Sequence, residues 1–129
     1  MLQGARVEAI VPVSDLDRAA SFYGDTLGLP LIERYDQIGE TPMVRYQLGA
    51  GTLAVYKSVG AGESRHTVAG FTVDDLESTV ADLRQRGVTF EEYDMGAIKT
   101  ENGIARFGNL AGAWFKDPDG NIVGIGQYG

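Results

Sequence analysis

The chain has 129 residues, of which 43% are hydrophobic and 22% are charged, so it is predicted to form one compact domain. It contains no cysteine, which excludes thiol nucleophiles, thiolate metal sites and disulfides. Neither nucleic acid nor a membrane is an expected partner, because the net charge is -7 and no apolar run approaches the roughly 18 residues of a membrane span.

The first half of the chain predicts the element order β-α-β-β-β. Residues 6–13 form a β-rich run, and Ser14 with Asp17 three residues later predicts a capping box that opens a helix. Apolar residues then recur at helical spacing until Gly28 and Pro30, which predict the end of that helix. Three strands are predicted to follow, at 31–36, 43–48 and 52–59.

The second half is predicted to repeat this order. Residues 66–73 predict a strand, and Asp74 or Asp75 is placed to cap a helix that ends at Gly87. A further strand is expected at 88–94. The last two strands are predicted to form a hairpin around Asp119-Gly120, at 111–117 and 121–128.

Two pairs of short segments support the repeat. VSDLD at 13–17 matches VDDLE at 73–77, and IERYD at 32–36 matches FEEYD at 90–94. Internal similarity of this kind indicates a duplicated module. The stretch at 95–110 has no counterpart of equal length in the first half, so it is predicted to be a lid or binding loop, or else a disordered surface loop.

The tandem modules, with VPVSDLDRAASFYGDTLGL at 11–29 and FKDPDGNIVGIGQ at 115–127, resemble the vicinal oxygen chelate superfamily. This superfamily comprises glyoxalases, bleomycin-resistance proteins and extradiol dioxygenases. The resemblance implies an α+β fold in which two βαβββ modules, about 1–60 and 65–129, form one domain with a concave, barrel-like mixed sheet and helices outside. It implies little about the reaction, because members include several classes of enzyme and plain drug-binding proteins.

Metal-using members of that family take their ligands from the first and last strands of each module. The resemblance maps these positions to Glu8, Ala54, Val68 and Gly124, of which only Glu8 has a ligating side chain. His66, two residues before Val68, would raise the number of ligands only to two, whereas a catalytic zinc or iron site generally needs three. No metal and no other cofactor are therefore expected.

Small residues are predicted to line the concave face. In the strand register that the resemblance implies, Ala54, Gly70, Gly124 and Gly126 remove side-chain volume there, which leaves room for a flat ligand between the sheets. Tyr56 and Trp114 are the candidate aromatic walls of this cavity. The alternative is that these large side chains themselves fill the space.

Glu8 and His66 are the candidate catalytic residues. A carboxylate in a largely apolar pocket must be paired, bind a cationic group, or have its pKa raised by desolvation. Arg6 or Arg45 could pair with Glu8, which would make its role structural. Otherwise Glu8 is a ligand anchor or a general base, with His66 as the other group that titrates near neutral pH. A lone histidine is more often structural or exposed than catalytic.

The favoured function is a metal-independent small-molecule-binding protein that sequesters a planar or cationic organic ligand. It is expected to be a homodimer in the cytoplasm, since the first residues do not resemble a signal peptide. The alternative is a glyoxalase-like lyase or isomerase, or a dioxygenase-like oxygenase, that uses Glu8 as a base or recruits a divalent metal. A third reading is a vestigial cavity on a protein whose dimer surface matters. The predicted ligand contacts are Glu8, Ala54, Tyr56, Val68, Trp114 and Gly124.

Overall fold

A computed structural model of the chain describes residues 1–36, 42–96 and 98–128. They fold into two compact units, Met1–Glu63 and Ser64–Gly129. Each unit contains one open mixed β-sheet and one α-helix, which confirms the predicted α+β class. None of the helices within these ranges combines the length and apolar character needed to cross a membrane.

The first unit is a four-stranded sheet with the strand order β1-β4-β3-β2. Its elements are β1 (Glu8–Val13), α1 (Leu16–Ala20), a π-helical segment (Ser21–Thr26), β2 (Leu31–Tyr35), β3 (Met43–Leu48) and β4 (Gly51–Lys57). β1 and β4 are parallel, and the other pairs are antiparallel. α1 packs against β3 and β4, and the alternating residues of the strands form a core that includes Val11, Val13, Val44, Tyr46, Leu53 and Val55.

The start of α1 differs from the predicted capping box. Asp15, not Ser14, is the N-cap, and its carboxylate accepts a hydrogen bond of 3.0 Å from the backbone N–H of Arg18. This one-residue shift puts Asp17 in the first turn of the helix, so the proposed Ser14–Asp17 capping box is wrong. The predicted end of the helical region is confirmed at Gly28, whose φ of 73° is a conformation that glycine favours.

The second unit is a six-stranded sheet with the order β5-β10-β9-β8-β7-β6. Its elements are β5 (Thr67–Thr72), α2 (Leu76–Gln85), β6 (Asp94–Met95), β7 (Ile98–Glu101), β8 (Ile104–Phe107), β9 (Leu110–Lys116) and β10 (Ile122–Gln127). α2 packs against β9 and β10 and buries Leu76, Val80 and Leu83. As predicted, Asp75 caps this helix and Gly87, with a φ of 94°, follows its end.

The prediction of a loop at 95–110 is wrong. Apart from residue 97, which lies outside the described residues, the stretch forms the last residue of β6, all of β7 and β8, the first residue of β9 and the turns between them. A two-residue turn at Asn102-Gly103 joins β7 and β8, with φ angles of 53° and 81°. Asn-Gly is a strong signal for such a turn, since both residues tolerate positive φ. The stretch is therefore a hairpin that extends the sheet.

The strand predicted at 88–94 is shorter than expected. It forms an isolated bridge between Phe90 and Phe115, and the Glu91 N–H donates to the Trp114 carbonyl at 2.8 Å. β8 occupies the rest of that edge of β9. The internal repeat thus correctly predicted that 88–94 lies beside β9. This edge of β9 is shared, however, because 88–94 pairs with one part of it and β8 with the other.

The Glu92 carboxylate ties this region to the β7–β8 hairpin. Its Oε1 accepts hydrogen bonds from the Thr100 hydroxyl at 2.5 Å and from the Gly103 N–H at 3.0 Å. The Thr100 hydroxyl also accepts a bond of 2.8 Å from the Tyr93 N–H. The Thr100 bond, followed by the Gly103 bond, lowers the pKa of Glu92 because both favour the charged form.

The predicted β9–β10 hairpin is confirmed and is closed by buried polar groups. The Asp117 carboxylate accepts from the N–H groups of Asp119 and Asn121, and from the Asn121 side-chain amide at 2.9 Å. Asn121 is 0% exposed, and Gly120 takes a φ of 90° in the turn. These bonds fix the register in which Gly124 lies opposite Trp114.

We expect Glu92→Gln to reduce the free energy of unfolding at neutral pH, with the difference from wild type shrinking in acid. A carboxylate whose pKa is lowered on folding stabilises the fold above its ordinary value of 4.5, and this contribution is lost as the pH falls through the lower folded-state pKa. Urea unfolding at a series of pH values between 7 and 3 measures the difference. Glu101→Gln, on an exposed carboxylate of β7, is the control, and a difference independent of pH would contradict the expectation.

Candidate functional site

A groove of about 350 Å³ lies on one face of the second sheet. Its residues come from β5, β8, β9, β10 and the residue after β10. We call it the glycine groove, because its floor and rim include Gly70, Gly112, Gly124, Gly126, Thr72, Phe107, Leu110, Trp114 and Tyr128.

Strand register explains why the glycines meet on one face. Gly124 of β10 lies opposite Gly70 on β5 and Trp114 on β9, and Gly126 lies opposite Gly112 on β9. Directly paired residues in a sheet point to the same face, and so do residues two apart on one strand. Two adjacent rows of this face therefore contain four glycines, and the side chains that they do carry are those of Trp114 and Thr72.

The Trp114 indole covers part of this floor. Its Cδ1 and Nε1 atoms lie 3.4 Å from the position that a Cβ on Gly124 would take, and its Cη2 lies 3.4 Å from the equivalent position on Gly112. The expectation that a large neighbour fills the space is thus met at these two glycines. Gly70 stays exposed, since the nearest atom to its Cβ position is the Gly124 carbonyl oxygen at 3.9 Å.

Tyr93 holds the indole from another side. The two rings make an edge contact, with centroids 5.6 Å apart and planes at 66°. Burial raises the pKa of Tyr93, and the Glu91 carboxylate adds to the shift. The Tyr93 backbone is bonded in turn to Thr100. Trp114 is therefore a wall fixed before any ligand arrives.

The first sheet carries an ion pair in the corresponding rows. Ala54 lies opposite Ile10 and Arg45, as Gly124 lies opposite Gly70 and Trp114. Arg45 Nε lies 2.8 Å from Glu8 Oε2, and these side chains are 30% and 26% exposed. The hydrogen bond to Glu8, with a smaller effect from Tyr35, raises the pKa of Arg45. Glu8 thus has the internal partner that would make it structural.

The other predicted site residues are spread over both units. Tyr56 lies on the first sheet, opposite Met43. His66 is exposed, just before β5, with Nδ1 3.1 Å from the Ser64 hydroxyl. Val68 has no ladder partner, because Thr67 pairs with Ile122 and the next paired residue is Ala69. This register shift interrupts the alternation that put His66 and Val68 on one face.

The residues at the family's metal positions do not fit a metal. Ala54, Val68 and Gly124 have no donor atoms in their side chains, and Glu8 is bonded to Arg45. Within 1–36, 42–96 and 98–128, no three His, Asp or Glu side chains gather as a metal site requires.

Sequence reasoning missed several groove residues. Gly112 and Leu110 precede Trp114 at a spacing of two along β9, and Tyr128 follows Gly126 at the same spacing. This spacing of two could have been used to predict them from the sequence, since residues two apart on a strand lie on the same face of the sheet. The Thr67 methyl, 3.4 Å from the Gly124 Cβ position, had no such signal because it depends on the register shift.

Comparisons with known proteins place the chain among relatives of one kind. A model of the Glyoxalase/Bleomycin resistance protein/Dioxygenase superfamily matches residues 6–125. Lactoylglutathione lyase of Haemophilus influenzae is 27% identical over 127 residues, which is 88% of this chain and 85% of that protein. A probable chloroplastic lactoylglutathione lyase of Arabidopsis thaliana is 26% identical over 124 residues, and the chain spans only 33% of its length. The solved structure of an antibiotic binding protein from Streptomyces sp. CB03234 is 25% identical, with a TM-score of 0.69 over 100% of this chain and 99% of that one.

We expect Gly124→Leu to destabilise the second unit and Gly70→Leu to leave its stability nearly unchanged. Leu at 124 must displace the Trp114 indole, which costs about 1–3 kcal/mol, whereas position 70 is open. Urea unfolding followed by tryptophan fluorescence measures both, because Trp114 is the one tryptophan in the sequence. Equal stability and an unshifted emission maximum for Gly124→Leu would contradict this packing.

We expect the Glu8–Arg45 pair to add no more to stability than an ordinary surface ion pair, since both side chains are partly exposed and screened by solvent. A double-mutant cycle with Glu8→Gln and Arg45→Gln measures the coupling free energy, and raised salt should weaken it. A coupling several times larger, unaffected by salt, would show that the pair is buried more deeply than the structure indicates.

Proposed function

Since the chain belongs to the glyoxalase/bleomycin resistance protein/dioxygenase superfamily, we propose that it is a metal-independent protein that binds and sequesters a planar organic ligand in the glycine groove. The observation that carries the proposal is the open floor at Gly70 beside the fixed indole of Trp114. A flat ring laid on Gly70 contacts the sheet without meeting a Cβ, and it packs against the indole.

The chemistry of the lining favours binding over catalysis. Within the described part of the chain, the groove is lined by no Asp, Glu, His, Lys or Arg. It offers apolar and aromatic contact and a few neutral hydrogen-bonding groups, but no general base near neutral pH. The similarity to an antibiotic binding protein supports the same reading.

The proposal favours a planar ligand over a cationic one. A cationic ligand would rely on Glu8, which already holds Arg45 at 2.8 Å. A homodimeric state and a cytoplasmic location stay part of the proposal, and sedimentation velocity tests the first. Trp114 and Gly124 are the predicted ligand contacts that line the glycine groove, and those that stay predictions outside it are Glu8, Ala54, Tyr56 and Val68.

The alternative is a glyoxalase-like or dioxygenase-like enzyme, and the similarity to two lactoylglutathione lyases favours it. It requires the Glu8 carboxylate to break its ion pair with Arg45 and then to accept a proton from the substrate or to bind a recruited metal. Binding alone predicts no turnover, whereas this alternative predicts turnover that is lost in Glu8→Gln while binding is retained.

We expect 9-fluorenone, a neutral planar tricycle, to quench Trp114 fluorescence and to raise the melting temperature as its concentration rises. Proflavine, a planar cation of similar size, should bind more weakly. Gly70→Leu should weaken fluorenone binding at least about tenfold, because the new side chain occupies the floor.

Gly51→Leu is the matched control, since Gly51 is a strand glycine of the first unit with equal room for a side chain. Fluorenone binding that is unchanged in Gly70→Leu would contradict the assignment of the groove. Turnover of lactoylglutathione by the wild-type protein with Zn²⁺, Mn²⁺, Ni²⁺ or Fe²⁺ would replace the proposal with the enzyme alternative.

A further inference from the structure

The glycine groove contains few side chains that can form hydrogen bonds. Thr72, Trp114, Gln127 and Tyr128 are those among its lining. The Gln127 side-chain oxygen already accepts from the Leu76 N–H at 2.8 Å, at the start of α2. The hydroxyls of Thr72 and Tyr128 can donate or accept, so they do not discriminate between ligands by hydrogen-bond polarity.

The indole nitrogen of Trp114 differs, because it can only donate. Nε1 lies on the side of the ring that covers Gly124, and Gly124 pairs with the exposed Gly70. No residue in the described ranges accepts a hydrogen bond from it, and no buried side-chain nitrogen in those ranges lacks a partner, so Nε1 is open to solvent. The donor therefore faces water in the free protein.

The ring that carries this donor has little freedom to turn. Gly112 and Gly124 lie beneath it, and the edge contact with Tyr93 holds its other side. The Trp114 carbonyl accepts from the Glu91 N–H, which fixes the strand that carries the ring. The N–H direction is thus set by the fold before binding.

We infer that the Trp114 N–H selects for ligands with a hydrogen-bond acceptor, a carbonyl oxygen or a ring nitrogen, at the edge of a planar uncharged ring system. The inference rests on the proposed function and names its ligand class. A flat ligand without an acceptor displaces water from the N–H and leaves this donor without a hydrogen bond, which lowers the affinity. A ligand with an acceptor over Gly124 replaces that water.

The test compares 9-fluorenone with fluorene, which has the same tricyclic shape but lacks the carbonyl. Equilibrium dialysis gives both dissociation constants for wild type and for Trp114→Phe. The fluorenone-to-fluorene affinity ratio should fall about tenfold in the variant, since one uncharged hydrogen bond is lost. Taking the ratio cancels the general loss of packing area. Gly51→Leu, on β4 of the first unit and outside the groove, should leave the ratio unchanged.

A second measurement uses the unaltered protein, so it does not depend on the fold of a variant. With one tryptophan in the sequence, the ¹⁵N-labelled chain gives a single indole N–H signal. Fluorenone should shift its proton downfield relative to fluorene, because fluorenone keeps the N–H hydrogen-bonded and fluorene does not.

An affinity ratio that is the same in wild type and Trp114→Phe, with equal indole shifts for both ligands, would overturn the inference. If both ligands still bound, and Gly70→Leu weakened both, the proposed function would stand without it. If neither ligand bound the wild-type protein, the inference and the proposed planar-ligand function would both be overturned.

Discussion

The missing Cβ atoms of two neighbouring strands are the constraint on which the second sheet depends. The Trp114 indole lies 3.4 Å from the Cβ positions that Gly112 and Gly124 leave empty, and a side chain larger than a methyl group at 124 would meet the ring or the Thr67 methyl. The glycines thus determine where the indole lies, and the indole determines which part of the floor stays open. Glycine weakens a strand, so this arrangement costs stability that an ordinary core would keep.

The two repeats use one backbone pattern for different chemistry. In both units, a small residue on the last strand has two neighbours in the sheet. One is a residue of the unit's first strand, and the other is a large side chain on the second-to-last strand. In the first unit the large side chain of that row is Arg45, which is paired with Glu8 of the neighbouring row, and in the second unit it is the Trp114 ring. The sequence similarity between the repeats lies at the helix starts and the edge segments, so it conserves the scaffold while the faces diverge. The two rows are Ile10–Ala54–Arg45 and Gly70–Gly124–Trp114.

Local signals predicted much of the fold and part of the site. The Asp119-Gly120 turn was sufficient to place Trp114 one strand from Gly124, whereas the direction in which its side chain faces required the strand register of the structure. Choices between distant partners were beyond a single sequence. Whether Glu8 pairs with Arg6 or Arg45, and whether β8 or 88–94 takes the edge of β9, depends on packing across the sheet. The register shift at Val68 likewise has no local mark, since it arises where two strands meet.

The parallel pairing of β5 with β10 has a consequence for folding kinetics. Among the described strands, only β10 pairs with β5. The hydrogen bond from the Leu76 N–H to the Gln127 side chain, at the end of β10, joins residues 51 apart in the chain. Such non-local contacts form late, because loop closure must precede them. We therefore expect the floor of the groove, which needs both strands, to be among the last parts of the unit to assemble. A molecule bound there stabilises the native state more than the transition state, so it slows unfolding and prolongs the lifetime of the fold without accelerating its formation.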